Sequence, residues 1–497
     1  MPAKETPAAR IDRLITAGDN RGALAAADEL LKQSPQSFLG RFGRARALIR
    51  LGLEAEAGRD LELAAKLSPN DEHLLLVRGR YEFRNGRADE AIAMLERVAR
   101  GRGPHAVEAA FSLLDAYHYA GRRDDLAAMV RAGGAWTKDA RATLHAARAA
   151  AVEDRERGID AFLAIWRSSA PVVTRRYAGF EAAELLDRAA RYREAFDLMS
   201  EVHRTTAPPA DTDSWVGPLA AQWSLLEKGA GHFKPRCTAK VGELRMAFVV
   251  ALPRSGTTLL EHMLDRHPAI GGIGEYTGLS TIRTQLAATS MWPQKPMLVS
   301  DAAFARLREE YLIGARALAK SGAQWTFDKS LLAWSSLPEI ATIFPGAVGL
   351  AIDRDPRDNA TSVFFSHLNI AANPWMGDFT AIREIMRWQR KIVPRALEVL
   401  EIAHERMAYE DLVENPARFA ARCLERMGLP MDPRVLNPEE GTRVAATLSH
   451  AQVRRPISRA AIGRWKNYAW AFDGAWDELV AMHESMREAT RASCRAD

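Results

Sequence analysis

At 497 residues the chain is too long for one compact core, so two or three domains are expected. Hydrophobic content of 47% and charged content of 26% are those of a soluble globular protein, and 68 basic against 63 acidic residues leave a net charge of +5, which permits anionic ligands without announcing a nucleic-acid binder. The cysteines, Cys237, Cys423 and Cys494, lie too far apart for a disulfide framework or a paired-cysteine zinc site. The first residues, MPAKETPAARID, hold no apolar signal core, and no run of roughly 18 apolar residues occurs anywhere. A cytoplasmic protein without a transmembrane segment is expected.

A period runs through the first part of the chain. Gly18, Gly52 and Gly86 lie 34 apart, as do Ala23, Ala57 and Ala91, and Ser34-Pro35 returns as Ser68-Pro69. A small residue in an inter-helix turn, alanine where helices cross and proline closing the second helix resemble the tetratricopeptide repeat. The likeness is clearest from Ala8 to Gly121 and returns at Arg191-Tyr192-Arg193-Glu194-Ala195-Phe196. This reading gives a multidomain chain: an all-α tetratricopeptide-like solenoid over 1–204, a linker and connecting arm over 205–240 that opens on TTAPPADTD, and an α/β domain over 241–497. Stacked helix pairs form a concave groove, which either receives a peptide or partner or only supports the second half.

Residues 246–252 form a short run rich in β-branched and aromatic side chains, the pattern of a strand buried on both faces of a parallel sheet. Pro253 ends it. Ser255, Gly256, Thr257 and Thr258 then open a helix whose apolar face is Leu259, Leu260, Met263 and Leu264. The unpaired amides and the dipole of such a helix start favour anions. Aligned with Gly-x-x-x-x-Gly-Lys-Ser/Thr, Ala251 takes the first glycine position, Gly256 the second, Thr257 the lysine and Thr258 the hydroxyl. The lysine that serves β and γ phosphates is missing, and the positive charge sits at Arg254 inside the loop. That suits a phosphate-like group without the ATP arrangement.

Downstream, Gly271-Gly272-Ile273-Gly274-Glu275 places a carboxylate in a glycine turn, where backbone can approach a ligand closely. A strand over 324–327 ends in Asp328-Lys329-Ser330, and the strand VGLAID, 348–353, is followed by Arg354. Asp355 as N-cap, Pro356 at N1 and Asp358 at N3 start a helix that carries Ser362. Capping accounts for two of the carboxylates Asp353, Asp355 and Asp358, and the interleaved Arg354 and Arg357 argue against a Mg²⁺ site. MAYEDLV, 407–413, and TLSHAQVRRPISRAAIGRWKNY, 447–468, follow.

PRSGTTLL, the DKS to RDPRD run, YEDLV and the last stretch occur in the order found in sulfotransferases, which take a sulfuryl group from 3′-phosphoadenosine 5′-phosphosulfate (PAPS). The resemblance spans about residues 243–470. Its last part is similar to tyrosylprotein sulfotransferases, and the chain as a whole resembles bacterial sulfotransferases with N-terminal tetratricopeptide repeats. A three-layer, P-loop-like α/β domain around a parallel sheet is implied. By the same resemblance Arg254, Ser255, Gly256, Thr257 and Thr258 hold the 5′-phosphosulfate, and Arg354 and Ser362 the 3′-phosphate. Tyr409, Ser449 and Arg455 complete the nucleotide site. The catalytic roles fall to Glu275 as general base, Lys329 as the cation near the leaving oxygen, and Arg254.

A transferring sulfuryl group carries less negative charge than a phosphoryl group, so amides and a few cations handle it without a metal. PAPS is then the donor and 3′,5′-adenosine bisphosphate the product. His262, His267 and His367 lie near the motifs and are alternative bases, although each has a structural reading. Two other classes stay open: a nucleotide kinase, which wants the missing lysine, and a repeat scaffold whose second half binds nucleotide without catalysis. The acceptor, whether a protein tyrosine presented by the repeat groove, a lipid, a sugar or a small phenol, is not fixed by these residues.

Overall fold

The computed structural model describes residues 5–496 apart from 52, 209–210, 332, 369–372 and 442–456. It forms two compact units, Met1–Gly158 and Ile159–Asp497. The first is a run of helix pairs: α1 (Pro7–Thr16) with α2 (Asn20–Gln33), α3 (Phe38–Arg50) with α4 (Glu54–Leu67), α5 (Glu72–Arg84) with α6 (Ala88–Ala99), and α7 (Ala106–Tyr119) with α8 (Arg123–Ala132), then α9 (Ala142–Glu153). Each pair packs on the next. Ala23, Ala57 and Ala91 are all fully buried, as close helix contact requires. Gly18, Gly86 and Gly121 take φ of +80°, +80° and +74°. The residue after each donates to a carbonyl one turn and a half back: Asp19 N to Leu14 O at 2.9 Å, Arg87 N to Glu82 O at 2.8 Å and Arg122 N to Tyr117 O at 2.8 Å. That helix-ending turn needs a left-handed residue, and glycine recurs there for this reason. Gly52 lies outside the described residues.

After α10 (Arg155–Trp166), which straddles the division, the second unit continues with α11 (Val172–Arg188), α12 (Tyr192–Thr206) and α13 (Thr212–Leu226). The α11–α12 pair repeats the same turn, Arg191 N donating to Leu186 O at 2.9 Å, with Ala190 at φ +59° in place of glycine. The sheet domain then runs β1 (Arg245–Val250), α14 (Thr257–Asp265), β2 (Ile270–Gly274), α15 (Gly278–Ala287), α16 (Asp301–Leu318), β3 (Trp325–Asp328), α17 (Leu337–Ile343), β4 (Val348–Asp353), α18 (Pro356–Phe364), α19 (Phe379–Val399), β5 (Ala403–Ala408), α20 (Tyr409–Glu414), α21 (Pro416–Arg426) and α22 (Asp477–Ala496).

In the structure α11 and α12 belong to the second compact unit, which begins at Ile159. The physical reason is what α11 and α12 bury. Phe196 stacks on Phe364 at 5.2 Å between ring centroids and meets Phe379 edge-on, His203 Nε2–H donates to the Phe364 carbonyl at 2.8 Å, and Tyr468 OH donates to Asp187. The arm expected over 205–240 is largely structured: α13 packs against α19, and Arg236 N donates to Thr342 O at 2.8 Å.

All five strands are parallel, in the order β2-β3-β1-β4-β5. Met246, Ala247, Phe248, Val249 and Val250 of β1 are buried, which is why this central strand reads as an unbroken apolar run. The chain leaves β1 toward one side of the sheet and β4 toward the other. Their C-terminal ends thus frame the crevice where open α/β sheets receive ligands. No helix among the described residues is long and apolar enough to cross a membrane.

Candidate active site

The loop after β1 is built for close approach. Arg254 sits at φ +66° and Gly256, the N-cap of α14, at φ +97°. A Cβ on Gly256 would stand 2.4 Å from Cδ2 of Tyr409, so the ring closes directly on the loop and leaves room for glycine alone. Ser255, Thr257 and Thr258 are buried beside it. Asn359 of α18 pins the loop, its Nδ2 donating to Pro253 O at 2.9 Å and Ser255 Oγ at 3.0 Å. Arg254 Nε donates to Ser362 Oγ at 3.1 Å.

From the end of β4, Arg354 reaches the same loop. Its Nη1 donates to Arg254 O at 2.8 Å and its Nη2 to Ala461 O at 2.5 Å, while the guanidinium lies 4.8 Å from the Tyr409 ring centroid. Arg354 Nε is buried with no hydrogen-bond partner among the described residues, a donor that burial makes costly to leave unmet. Arg254 is pushed down to about 10, first by burial and then by the nearby Arg354 and Arg464 guanidiniums. Cations held together at this expense favour an arriving anion.

The carboxylates of the β4–α18 turn go to separate partners. Asp355 caps α18 at Arg357 N, 2.9 Å away, and pairs with the Arg357 guanidinium at 2.7 Å. Asp358 accepts from Gly463 N at 2.6 Å and Trp465 N at 2.9 Å, which ties the segment after 458 onto α18. Asp353 faces Arg390 at 2.7 Å.

Glu275 and Lys329 meet for a topological reason. Gly274 of β2 pairs with Asp328 of β3, so the next residue of each strand leaves the sheet side by side. Lys329 Nζ donates to Glu275 Oε1 at 2.8 Å, and Lys329 N–H to Gly274 O at 3.0 Å. The lysine side chain is 1% exposed and the carboxylate 49%, so the pair is a buried cation with an accessible base.

Two residues that sequence reasoning missed hold this pair. Glu261, buried in α14, accepts from Gly274 N at 2.8 Å and links the anion loop's helix to the turn of Glu275. Asp328 accepts from Ser330 N at 2.6 Å and from Tyr311 OH, and burial foremost, with Glu261 adding to it, pushes its carboxyl up to about 7.

The histidines have structural partners. His267 Nε2–H donates to Pro430 O at 3.2 Å while its Nδ1 accepts from Ala269 N at 3.2 Å, the neutral tautomer. His367 stacks on Tyr177 at 4.2 Å and is pushed down to about 4 by burial, then by Arg176. His262 is buried within α14. Ser449 and Arg455 lie outside the described residues.

Together these features define an α-repeat array followed by a P-loop-like α/β domain with a parallel sheet. Residues 247–433 match the sulfotransferase family. A sulfotransferase-family domain therefore follows a tetratricopeptide-like array in this chain. Over 241 residues the chain is 28% identical to protein-tyrosine sulfotransferase 1 of Danio rerio, covering 45% of this chain and 66% of the relative. Over 319 residues it is 24% identical to an uncharacterised protein of Aquifex aeolicus, covering 60% of this chain and 40% of that one. The chain thus spans less than two thirds of the length of either relative. A solved sulfotransferase domain from the curacin biosynthetic pathway is 16% identical, with a TM-score of 0.37, covering 48% of this chain and 98% of that domain.

Proposed function

We propose that the protein transfers a sulfuryl group from PAPS to an acceptor hydroxyl, and that the acceptor is a tyrosine of a protein or peptide. The observation that carries the reading is the convergence of Arg254, Arg354 and Ser362 at the β1/β4 crevice, with the Lys329–Glu275 pair on neighbouring strand ends of the same sheet. The likeness to a protein-tyrosine sulfotransferase supports the acceptor.

PAPS supplies a sulfur–oxygen bond activated by a phosphate leaving group. The residues fit it: Arg354 Nε is a buried donor awaiting a partner, and Gly256 lets the Tyr409 ring pack directly on the loop that would hold the anion. Arg254, Ser255, Gly256, Thr257 and Thr258 take the 5′ end, Arg354 and Ser362 the 3′-phosphate, and Tyr409 forms a wall, with Ser449 and Arg455 proposed to close over it. Glu275 accepts the proton of the acceptor hydroxyl as that oxygen bonds to sulfur and the bridging oxygen leaves with the phosphate. Lys329 meets the negative charge released on that oxygen. In the free protein Lys329 is held by Glu275; an arriving anion competes for the lysine and leaves the carboxylate for the hydroxyl. No metal takes a step. Cys237 and Cys423 are free thiols, in keeping with a reducing cytosol, and the repeat array is proposed to present the acceptor.

Incubation with sulfur-labelled PAPS and a native lysate tests the proposal. Label on protein tyrosine is expected. Label in lipid or sugar alone moves the acceptor class, and tight bisphosphate binding without any transfer makes the chain a non-catalytic scaffold.

A further inference from the structure

Helix α22 lies beyond the residues that match the sulfotransferase family, and it places the buried His483 behind the turn that carries Arg354. That turn is held through its main chain. Arg354 N–H donates to Asp353 Oδ1 at 2.9 Å, and Asp355 N–H donates to Glu410 Oε1 at 3.0 Å. Arg390 of α19 closes it from behind, its Nη2 on Asp353 Oδ1 at 2.7 Å and on Arg354 O at 2.8 Å, while its Nη1 donates to the Leu479 carbonyl of α22.

His483 spans the two carboxylates. Its Nδ1 lies 3.4 Å from Asp353 Oδ2 and its Nε2 3.2 Å from Glu410 Oε2, the latter a charge contact without hydrogen-bond alignment. Further along the same face of the helix, Arg487 and Arg491 grip Asp411 at 2.7 Å and 2.6 Å. The histidine's charge is decided by this setting: burial works against the imidazolium, but Asp353 and Glu410 outweigh it and raise the group to about 9. Asp353 is held far below the usual carboxylate range, because Arg390 and His483 outweigh the effect of burial. Without the imidazolium the two carboxylates repel, or one takes up a proton, and either change weakens their hold on the turn's amides.

We propose that His483 is a positioning residue for the anion site: its cation fixes Asp353 and Glu410, these fix the main chain at Arg354 and Asp355, and donor affinity thereby depends on the docked C-terminal helix. The inference rests on the reading of Arg354 as a nucleotide ligand. The charged groups around the histidine are Asp353 from β4, Glu410 from α20, and Asp355, with Arg390 from α19 and Arg406 from β5 acting through Asp353. A histidine raised from 6.5 contributes fully below about that pH, and the contribution fades as pH rises through about 9.

The test uses the full chain. Calorimetry with 3′,5′-adenosine bisphosphate runs from about pH 7 to about pH 10, and hydrogen exchange is followed on peptides covering 353–362. Wild type is expected to lose about 10-fold in affinity as pH passes about 9. His483→Gln is expected to bind about 10-fold more weakly near neutral pH, to lack the step, and to exchange faster at 353–355 with β1 unchanged. The double variant Glu410→Gln/His483→Gln keeps an amide oxygen for Asp355 N–H and removes the uncompensated charge, so it is expected to regain most of the affinity. Equal affinity of wild type and His483→Gln with unchanged exchange at 353–355 overturns the inference. Wild type that binds no bisphosphate overturns the nucleotide reading instead, and exchange at 353–355 then decides the role of His483 alone. If His483→Gln unfolds as a whole, the wild-type titration decides, and the absence of a step near pH 9 overturns the proposal.

Discussion

Replacing Arg354 by alanine tests the anion site at the residue with the most ties to it. The guanidinium holds the Arg254 carbonyl at 2.8 Å and the Ala461 carbonyl at 2.5 Å, and faces Tyr409. A charge-assisted hydrogen bond is worth about 1.5 to 3 kcal/mol, so loss of the contact to a 3′-phosphate should cost about 10- to 100-fold in affinity for 3′,5′-adenosine bisphosphate. Arg354 also pins the backbone of a residue at φ +66°, and Arg254 in turn reaches Ser362 at 3.1 Å. In the proposed site the grips on the two ends of the nucleotide therefore share parts. AMP, which lacks the 3′-phosphate, is expected to bind wild type far more weakly than the bisphosphate and to lose a further factor of about 3 to 10 in Arg354→Ala. Calorimetric titration of both ligands against Arg254→Ala, Arg354→Ala and the double variant measures this, with a coupling of about 0.5 to 3 kcal/mol expected. Wild type binding AMP as tightly as the bisphosphate, or Arg354→Ala binding the bisphosphate like wild type, refutes the assignment. Additive single effects refute the shared grip.

Glu275→Gln keeps the shape and removes the base, so turnover should fall about 10²- to 10⁴-fold with bisphosphate affinity within about 3-fold; near-normal turnover, lost instead in a histidine variant, would move the base to that histidine. Asp328, raised from 3.8 to about 7, holds its proton more firmly folded than unfolded, so its contribution is full below about pH 4 and is lost as pH rises to about 7. Asp328→Asn is expected to flatten the urea midpoint across that window, and a slope equal to wild type would contradict it. A chain starting at Ile159 should bind the bisphosphate as the full chain does, whereas one starting at Gly217 lacks Asp187, Phe196 and His203 and should bind weakly or aggregate. Full affinity in a monomeric Gly217 start would show that α11 and α12 are dispensable to the site.

What could be read from residues alone was what local chemistry encodes. The apolar run of β1, the small-residue loop and the capped start of α18 are each settled within a few positions, and the structure brings Arg254, Arg354, Ser362 and Tyr409 together. Glu275 and Lys329 were both legible as motif residues, but their contact depends on β2 and β3 being neighbours at Gly274 and Asp328, a pairing that no local pattern encodes. The packing of α11 and α12 with the sheet domain is hidden for a related reason. The α11–α12 pair keeps the repeat's helix-ending turn, with alanine at the left-handed position, and what distinguishes it is the aromatic surface it covers from 364, 379 and 468.

Glu261, Asp328 and His483 were hidden more deeply. A charged residue on a helix or at a strand end reads as a solvated position until tertiary structure buries it, and then it must find a partner, because an unpaired buried charge is too costly to keep. Each of the three has found one on a turn that carries a site residue: Glu261 on the amide before Glu275, Asp328 on the amide after Lys329, and His483 on the carboxylates that brace Arg354. The residues proposed to face the ligand can thus be read from motifs, while the groups that hold them in place are found by asking which buried charges the fold has had to satisfy.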